Sequence, residues 1–197
     1  MAQPDKRRRI LDAAVRVFAQ YGFYNSKVSQ VAKEAGVADG TIYLYFKNKE
    51  DILIQLFGDV MDEILHRQEL AIAGIEDPVE KLSTFARIHF DSVAESRALA
   101  EVITVELRQS SKFMRDTDMK PFGRYLGTIA KVVEDGQALG VFSGRINSRV
   151  AARAIFGAID ELALEWAMGR RQTSLSDACM QTVDLFLSGL MARPDAN

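Results

Sequence analysis

The sequence predicts an all-α protein of nine helices. Apolar residues recur at spacings of three and four along most of the 197-residue chain, and the strict alternation that is typical of strands is absent. Alanine, leucine, glutamate, arginine and methionine, which favour helices, fill these periodic windows. The chain has only four prolines, and no stretch rich in glycine, serine or proline is long enough for a flexible linker. We therefore expect helices joined by short turns.

Three short helices are predicted at the start of the chain, at about 5–21, 27–35 and 39–45. Gly22 and Gly36 stand just beyond the first and second helices, where glycine commonly ends a helix. Isolated helices of this length are marginal in water. We therefore expect the three helices to pack together as one small unit.

Six further helices are predicted in the rest of the chain. Asn48 is placed to cap the fourth helix, and Pro78 suits the first position of the fifth. The predicted ranges are about 49–72, 78–95, 96–110, 119–139, 150–168 and 175–191. We expect two domains, residues 1–50 and residues 51–197, with the fourth helix as a stiff joint between them.

Charge is distributed unevenly along the chain. The net charge of −2 by itself argues against a nucleic-acid-binding protein. Residues 1–50, however, hold nine Lys and Arg against five Asp and Glu, whereas residues 51–197 hold 16 against 22. A basic N-terminal quarter indicates an anionic partner for that part of the chain. The alternative is a chance fluctuation among solvated lysines.

Features of enzymes, metal sites and membrane proteins are absent from the sequence. One cysteine, Cys179, excludes an intrachain disulfide, and two histidines, His66 and His89, do not make a metal-ligand cluster. There is no phosphate-binding glycine loop and no nucleophile motif. No apolar run reaches about 18 residues, and the N-terminus lacks the apolar core of a signal peptide. We expect a cytoplasmic protein that is not an enzyme, has no cofactor and has no membrane partner.

The stretch GVADGTIYLYFKNKE, residues 36–50, follows the second predicted helix. Two helices separated by the tight AGVA turn fit a helix-turn-helix, in which the second helix enters the major groove of DNA. Ile42 and Phe46 are four residues apart and are expected to face inward. Small residues permit a close approach to DNA, and tyrosine hydroxyls and lysines suit phosphate oxygens. The alternative is a small helical subdomain whose tyrosines are half-buried.

This stretch, preceded by ILDAAVRVFAQYGFYNSKVSQVAKEAGV, resembles the DNA-binding region of TetR-family transcriptional regulators over about residues 8–55. The resemblance implies an all-helical homodimer that represses transcription and leaves DNA when a small molecule binds the C-terminal domain. It assigns DNA contacts to Ser26, Lys27, Gln30, Asp39, Gly40, Thr41, Tyr43, Tyr45, Lys47 and Lys49. Asp39 is the unusual member, because its carboxylate either accepts from a cytosine amino group or simply favours the helix N-terminus.

The C-terminal part contains apolar helices that either line a cavity or fill a solid core. Asp160 and Glu161 stand mid-helix, and we expect one to be exposed and the other paired with an arginine. VELRQSS and IFGAIDELALEWAMG, with the N-terminal motif, resemble the acyl-CoA-responsive repressors of fatty-acid degradation (FadR) within the TetR family. This implies a long-chain acyl-CoA effector; the alternative is a drug-like or other hydrophobic molecule. The predicted ligand residues are Phe85, His89, Val102, Glu106, Arg108, Phe156, Ile159, Asp160, Ala163 and Trp166.

Arg108 is the first candidate for the headgroup of the effector, and Arg87, Arg115 and Arg124 are weaker ones. The last two helices are the predicted dimer interface, because pairing them with a symmetry mate gives a four-helix bundle. The stripes expected to meet there are Ile155, Ala158, Leu162 and Trp166 on one helix, and Val183, Phe186, Leu187 and Leu190 on the other. A dimer predicts a near-palindromic operator.

Overall fold

The computed structural model describes residues 5–106, 120–169 and 174–192. Over these residues the chain forms nine α-helices and one π-helical segment, Val102–Glu106, so the predicted all-α class is confirmed. The helices are α1 Lys6–Tyr21, α2 Val28–Ala35, α3 Asp39–Ile42, α4 Lys49–Ile72, α5 Pro78–Ala94, α6 Arg97–Glu101, α7 Lys120–Ala138, α8 Ser148–Ala167 and α9 Leu175–Leu190. In the described parts of the chain, no helix is long and apolar enough to cross a membrane.

The chain divides into two compact units. As far as they are described, the first holds Met1–Val60 and Ser96–Asp118, and the second holds Met61–Glu95 and Met119–Asn197. Helix α4 therefore begins in the first unit and ends in the second. The sequence predicts a DNA-binding domain of residues 1–50 and a second domain of residues 51–197. That division is one of binding roles, which the compact units do not test, so it stays a prediction.

In the first unit, α1 packs its apolar stripe against α2 and α6, and α2 packs against α3. Gly22 and Gly36 end their helices with positive φ angles of 74° and 64°, as the sequence predicts. The Phe18 and Phe23 rings meet edge to face, with centroids 5.3 Å apart. The buried residues shared among these helices are Ile10, Leu11, Ala13, Ala14, Val17, Phe18, Val31, Ala32, Ala35 and Ile42.

The N-terminus of α1 is fastened to α4 by Arg7. Its guanidinium donates to both carboxylate oxygens of Asp59, at 2.6 and 3.0 Å, and to Gln55 Oε1 at 3.1 Å. It also lies 5.9 Å from the centre of the Phe46 ring. A bidentate pair of this kind fixes geometry as well as charge. The segment after α3 and the first turns of α4 are thus held to α1.

Two predicted helices are shorter than expected. The α-helical bonding of α3 ends at Ile42 instead of residue 45, and the next amides bond three residues back: Leu44 to Thr41 at 3.2 Å and Tyr45 to Ile42 at 3.0 Å. The sixth helix was predicted to run to residue 110, but its α-helical part ends at Glu101 and passes into the π-helical segment. Apolar spacing does not distinguish these tighter or wider windings from α-helix.

The second unit is built from α5, α7, α8 and α9 with the C-terminal part of α4. Its centre holds an aromatic cluster. The Tyr125 ring lies 5.0 Å from the Phe85 ring and 5.7 Å from the Phe156 ring, and Phe156 also meets Phe122 at 4.8 Å. These edge-to-face contacts are the favoured geometry for aromatic pairs.

The α7–α8 turn folds back onto α7. Gly140 ends the helix with a φ of 72°. The amides of Val141 and Phe142 both donate to the Gly136 carbonyl, at 2.9 and 3.0 Å, and the Phe142 ring lies against Gly136. Phe142 is only 1% exposed. The Phe142 ring therefore packs in the space that a side chain at position 136 would occupy, and glycine at 136 leaves that space free.

The end of α9 is tied to this turn by a short antiparallel β-bridge between Phe142 and Met191. Its two hydrogen bonds run from the Ser143 amide to the Leu190 carbonyl, at 2.7 Å, and from the Ala192 amide to the Val141 carbonyl, at 3.0 Å. Both bonds join backbone atoms only. They hold the last described turn of the chain against the rest of the second unit.

Candidate functional site

The ten predicted DNA contacts lie between residues 26 and 49, in α2, in α3 and in the segments beside them. Asp39, Gly40, Tyr43 and Lys47 are exposed there, and Tyr43 exposes 58% of its area. A Cβ added at Gly40 would meet no heavy atom within 4 Å. Packing within the protein therefore does not require glycine at this position.

The inward residues of this segment are as predicted. Ile42 and Phe46 are buried, at 0% and 1% exposure. Tyr45 is half-buried, with its ring 6.5 Å from that of Phe46. Tyr43 thus presents its ring to solvent, whereas Tyr45 contributes to packing. Leu44, which the sequence analysis left out, is 80% exposed between them.

Ser26 and Gln30 bond to the protein's own backbone, and their predicted contact with DNA stays a prediction. Ser26 is buried, and its hydroxyl donates to the Phe23 carbonyl at 2.7 Å. Gln30 Oε1 accepts from the Lys27 amide at 2.7 Å and so caps the start of α2. Lys27 itself is exposed. The Ser26 and Gln30 side chains thus stabilise the backbone at the start of α2.

Lys49 also differs from its predicted role as a phosphate ligand. Its ammonium donates to the carbonyls of Phe23, of Tyr24 at 3.2 Å and of Ser26 at 2.8 Å. It lies 4.5 Å from the centre of the Phe23 ring. The carbonyls belong to the turn between α1 and α2, and because they lie outside both helices they have no intrahelical partner. Lys49 therefore holds this turn together, and Lys47 is the lysine of the loop that faces solvent.

The predicted ligand residues do not all come together. Phe85, His89, Ile159 and Ala163 are buried in the second unit, and Phe156 joins them through the Tyr125 ring. Val102 is buried in the first unit, of Glu106 only the backbone is described, and Arg108 and Arg115 lie outside the described residues. Glu161 is exposed and Asp160 half-buried, which fits the expectation that one of the two faces solvent.

Trp166 lines a surface away from the buried members of the predicted ligand set, and its place in that set stays a prediction. It lies ten residues beyond Phe156, about 15 Å along α8. It lines an open groove of about 620 Å³ between α8 and α9. The other residues that line the groove are Ala158, Glu161, Leu162, Glu165, Leu175, Ala178, Gln181, Thr182 and Leu185.

The predicted dimer stripes are divided between this groove and the core of the second unit. Ile155 and Leu190 are each only 3% exposed and belong to the core of the second unit, so they are not available to a partner. Ala158 and Leu162 do line the outer groove. Val183, Phe186 and Leu187 are half-buried on α9. Leu185, absent from the predicted set, is 70% exposed beside the groove.

A buried polar cluster that the sequence analysis did not single out lies beside the aromatic rings. The Tyr125 hydroxyl and His89 Nδ1 are 3.0 Å apart, and both side chains are buried. Gln68, with 0% exposure, donates from Nε2 to the Phe85 carbonyl at 2.9 Å. Burial lowers the pKa of His89 to about 4 and raises that of Tyr125 above its usual range. Both groups are therefore neutral at pH 7.

The free energy of unfolding is expected to fall by roughly 2 kcal/mol between pH 7 and pH 5 through His89 alone. The folded pKa of about 4 lies below the unfolded value of 6.5, so the unfolded chain binds the extra proton first. The contribution of neutral His89 to the free energy of unfolding is fully present above pH 6.5 and is lost as the pH falls towards 4. Urea unfolding of the wild type and of His89→Gln at both pH values measures it.

The exposed histidine supplies the control for this pH dependence. His66→Gln, at a histidine whose side chain is exposed, is the matched substitution measured beside His89→Gln. An equal loss of stability in the wild type and in His89→Gln would show that other groups cause the pH dependence.

Comparison with known proteins agrees with this arrangement. A model of bacterial regulatory proteins of the tetR family matches residues 10–56, and a model of the C-terminal region of YsiA-like proteins matches residues 57–189. The chain is 40% identical over 185 residues to the fatty acid metabolism regulator protein of Bacillus subtilis (strain 168), covering 94% of this chain and 95% of that protein.

Two solved structures resemble the whole chain. The fatty acid degradation regulator FadR from Bacillus halodurans is 36% identical, with a TM-score of 0.88, and the match covers 98% of this chain and 100% of that one. FadR from Bacillus subtilis in complex with stearoyl-CoA is 40% identical, with a TM-score of 0.86, over 92% and 98% of the two chains. With both of its regions matched, this chain belongs to the TetR family of bacterial regulatory proteins.

Proposed function

We propose that this chain is a FadR-type transcriptional repressor. It binds a palindromic operator as a homodimer, and long-chain acyl-CoA releases it, so that genes of fatty-acid degradation are expressed when their substrate is present. The observation that carries the proposal is the 40% identity to a fatty acid metabolism regulator over almost the full length of both chains. The similarity includes the C-terminal region, which holds the effector site in this proposal, and a relative's structure contains stearoyl-CoA.

Residues 1–50 form the DNA-binding domain in this proposal. The exposed side chains of Lys27, Tyr43 and Lys47 contact the phosphate backbone, while Gly40 and Thr41 approach the bases. Ser26, Gln30 and Lys49 keep the helix-turn-helix in shape through the hydrogen bonds described above. Net positive charge on this quarter of the chain supports the proposal, because phosphate contacts dominate affinity for DNA.

Residues 51–197 bind the effector and form the dimer. The outer groove of α8 and α9 is the proposed dimer face, because the apolar side chains of Leu162 and Trp166, which are half-buried, and of Leu185, which is exposed, line it. Two such faces related by a twofold axis form a four-helix bundle. Operator DNA and acyl-CoA meet in the cytoplasm, which is the proposed location.

Release from DNA by acyl-CoA is the direct test. The purified protein is first used to capture its operator from fragmented genomic DNA. Fluorescence anisotropy then follows the labelled operator during titration with palmitoyl-CoA, which is expected to displace the protein at micromolar concentrations. CoA alone and palmitate alone are the controls and are expected to act poorly.

Shortening the acyl chain sharpens this test. Each methylene buried adds roughly 0.8 kcal/mol, so octanoyl-CoA is expected to be far weaker than palmitoyl-CoA. A protein that stays on the operator at every acyl-CoA concentration overturns the proposal. Native mass spectrometry of the purified protein would then identify a drug-like or other hydrophobic effector by the mass of the molecule it carries.

A further inference from the structure

The polar side chains of Gln68, His89 and Tyr125 are buried among apolar residues of the second unit. Gln68 on α4, His89 on α5 and Tyr125 on α7 are 0%, 6% and 0% exposed. The Tyr125 ring contacts those of Phe85 and Phe156, so the surroundings are aromatic. Placing an uncharged polar group in apolar surroundings costs free energy unless its hydrogen bonds are made. Each polar atom of the cluster therefore needs a partner.

Two of the three side chains are paired with each other. The Tyr125 hydroxyl and His89 Nδ1 share a hydrogen bond of 3.0 Å. This pair works in either direction, because a hydroxyl donates and accepts and a neutral imidazole nitrogen does one or the other depending on its tautomer. The pair is thus satisfied and still adaptable.

Gln68 is satisfied at its amide nitrogen only, and its side chain also hydrogen-bonds that of Tyr125. Its Nε2 donates to the Phe85 carbonyl at 2.9 Å, and since a carbonyl only accepts, this bond fixes the orientation of the amide. Its Oε1 is buried and has no hydrogen-bond partner among the described residues. A buried acceptor left unpaired is unfavourable, whereas one that gains a donor contributes to binding. The free lone pairs of Oε1 therefore mark a place for a donor.

We propose that Gln68 Oε1, beside the Tyr125–His89 pair, is an acceptor subsite of the effector pocket, which binds a hydrogen-bond donor carried by the effector. The inference rests on the proposed acyl-CoA response, and it adds a specificity-determining residue to it. A saturated acyl chain and its thioester carry no donor. In an acyl-CoA the donors that suit a neutral amide oxygen are a hydroxyl on the acyl chain and the amide N–H groups of the pantetheine arm.

The location of the subsite supports this assignment. Phe85, His89 and Phe156, which surround Tyr125, are three of the residues that the sequence analysis placed in the effector pocket. These aromatic side chains suit an acyl chain, and Gln68 Oε1 among them is placed to accept from one polar group of the effector. Small-molecule pockets typically combine apolar walls with a few placed polar groups in this way.

The test compares two effectors of equal length, palmitoyl-CoA and 3-hydroxypalmitoyl-CoA, both kept below their micelle concentrations. Release from the operator is measured for the wild type and for Gln68→Met, which keeps the side-chain length and removes the acceptor. If the acyl hydroxyl is the donor, the hydroxylated effector acts at about tenfold lower concentration on the wild type, and Gln68→Met abolishes this preference. If the pantetheine amide is the donor, Gln68→Met weakens both effectors alike, by about threefold to tenfold.

Gln137→Met is the matched control. Gln137 is a half-buried glutamine of α7 whose Nε2 donates to two carbonyls of the α7–α8 turn, so its loss is expected to leave both release concentrations unchanged. Thermal unfolding checks that the variants are folded, and Gln68→Leu replaces Gln68→Met if that variant is not. A folded variant with wild-type responses to both effectors overturns the inference while leaving the proposed function intact. A wild type that ignores both effectors overturns the proposed function and the inference with it.

Discussion

Gly136→Ala is expected to lower the free energy of unfolding by roughly 2–3 kcal/mol. The added methyl group would overlap the ring of Phe142. The ring has no free direction in which to move, because it is buried and the amides of Val141 and Phe142 are bonded to the Gly136 carbonyl. The gain in helix propensity from glycine to alanine, about 1 kcal/mol, offsets only part of the overlap. Urea unfolding followed by circular dichroism measures the difference.

A second glycine of the same helix is the control. A Cβ at Gly127 would meet nothing within 4 Å, and the residue is exposed. Gly127→Ala is therefore expected to raise stability slightly, by up to about 1 kcal/mol. Equal stabilities for the two variants would mean that the Phe142 ring has room to move. Phe142→Leu combined with Gly136→Ala is expected to recover part of the loss, since leucine is smaller.

Lys49→Ala is expected to destabilise the first unit by roughly 2–3 kcal/mol and to abolish operator binding as a consequence. The ammonium satisfies three carbonyls of the α1–α2 turn, and hydrogen bonds to charged groups are worth about 1.5–3 kcal/mol. Its position over the Phe23 ring adds a smaller attraction. Differential scanning calorimetry, with hydrogen exchange to locate the change, measures the loss.

Lys47→Ala distinguishes the loss of a phosphate contact from a loss of folding stability. The Lys47 side chain is exposed, so its loss is expected to leave unfolding unchanged. Operator affinity is expected to fall at low salt, and the salt dependence to become shallower by about 0.9, as for the loss of one phosphate contact. If Lys49→Ala instead kept its stability and showed this same shallower slope, Lys49 would be a phosphate ligand as the sequence analysis proposed.

Sequence patterns predicted the helices well where one face is clearly apolar and the ends carry their own signals. The fifth helix was predicted at 78–95 and runs from Pro78 to Ala94, because proline marks its start and Asp77 caps it. Gly22 and Gly36 likewise fixed two helix ends. These signals are local, so the neighbouring residues suffice to interpret them.

Roles that depend on distant partners were not predictable in this way. Lys49 is recognisable as a charge, but its carbonyl partners stand 23 to 26 residues away in the sequence. In α8, residues on several sides are apolar, so periodicity does not separate Ile155, which is in the core, from Ala158, which is in the groove. Gln68 is one polar residue in a long helix and looks solvent-exposed until the burial of its amide is known.

The β-bridge at the end of α9 has a consequence for how freely this region tolerates sequence change. Its two hydrogen bonds use only the backbone of Val141, Ser143, Leu190 and Ala192, so they do not depend on which side chains stand at 141, 143 and 192, outside the core. Proline is the exception, because at 143 or 192 it would delete the donating amide. Homologous chains can therefore diverge in composition here and still fasten the end of their last helix to the same turn.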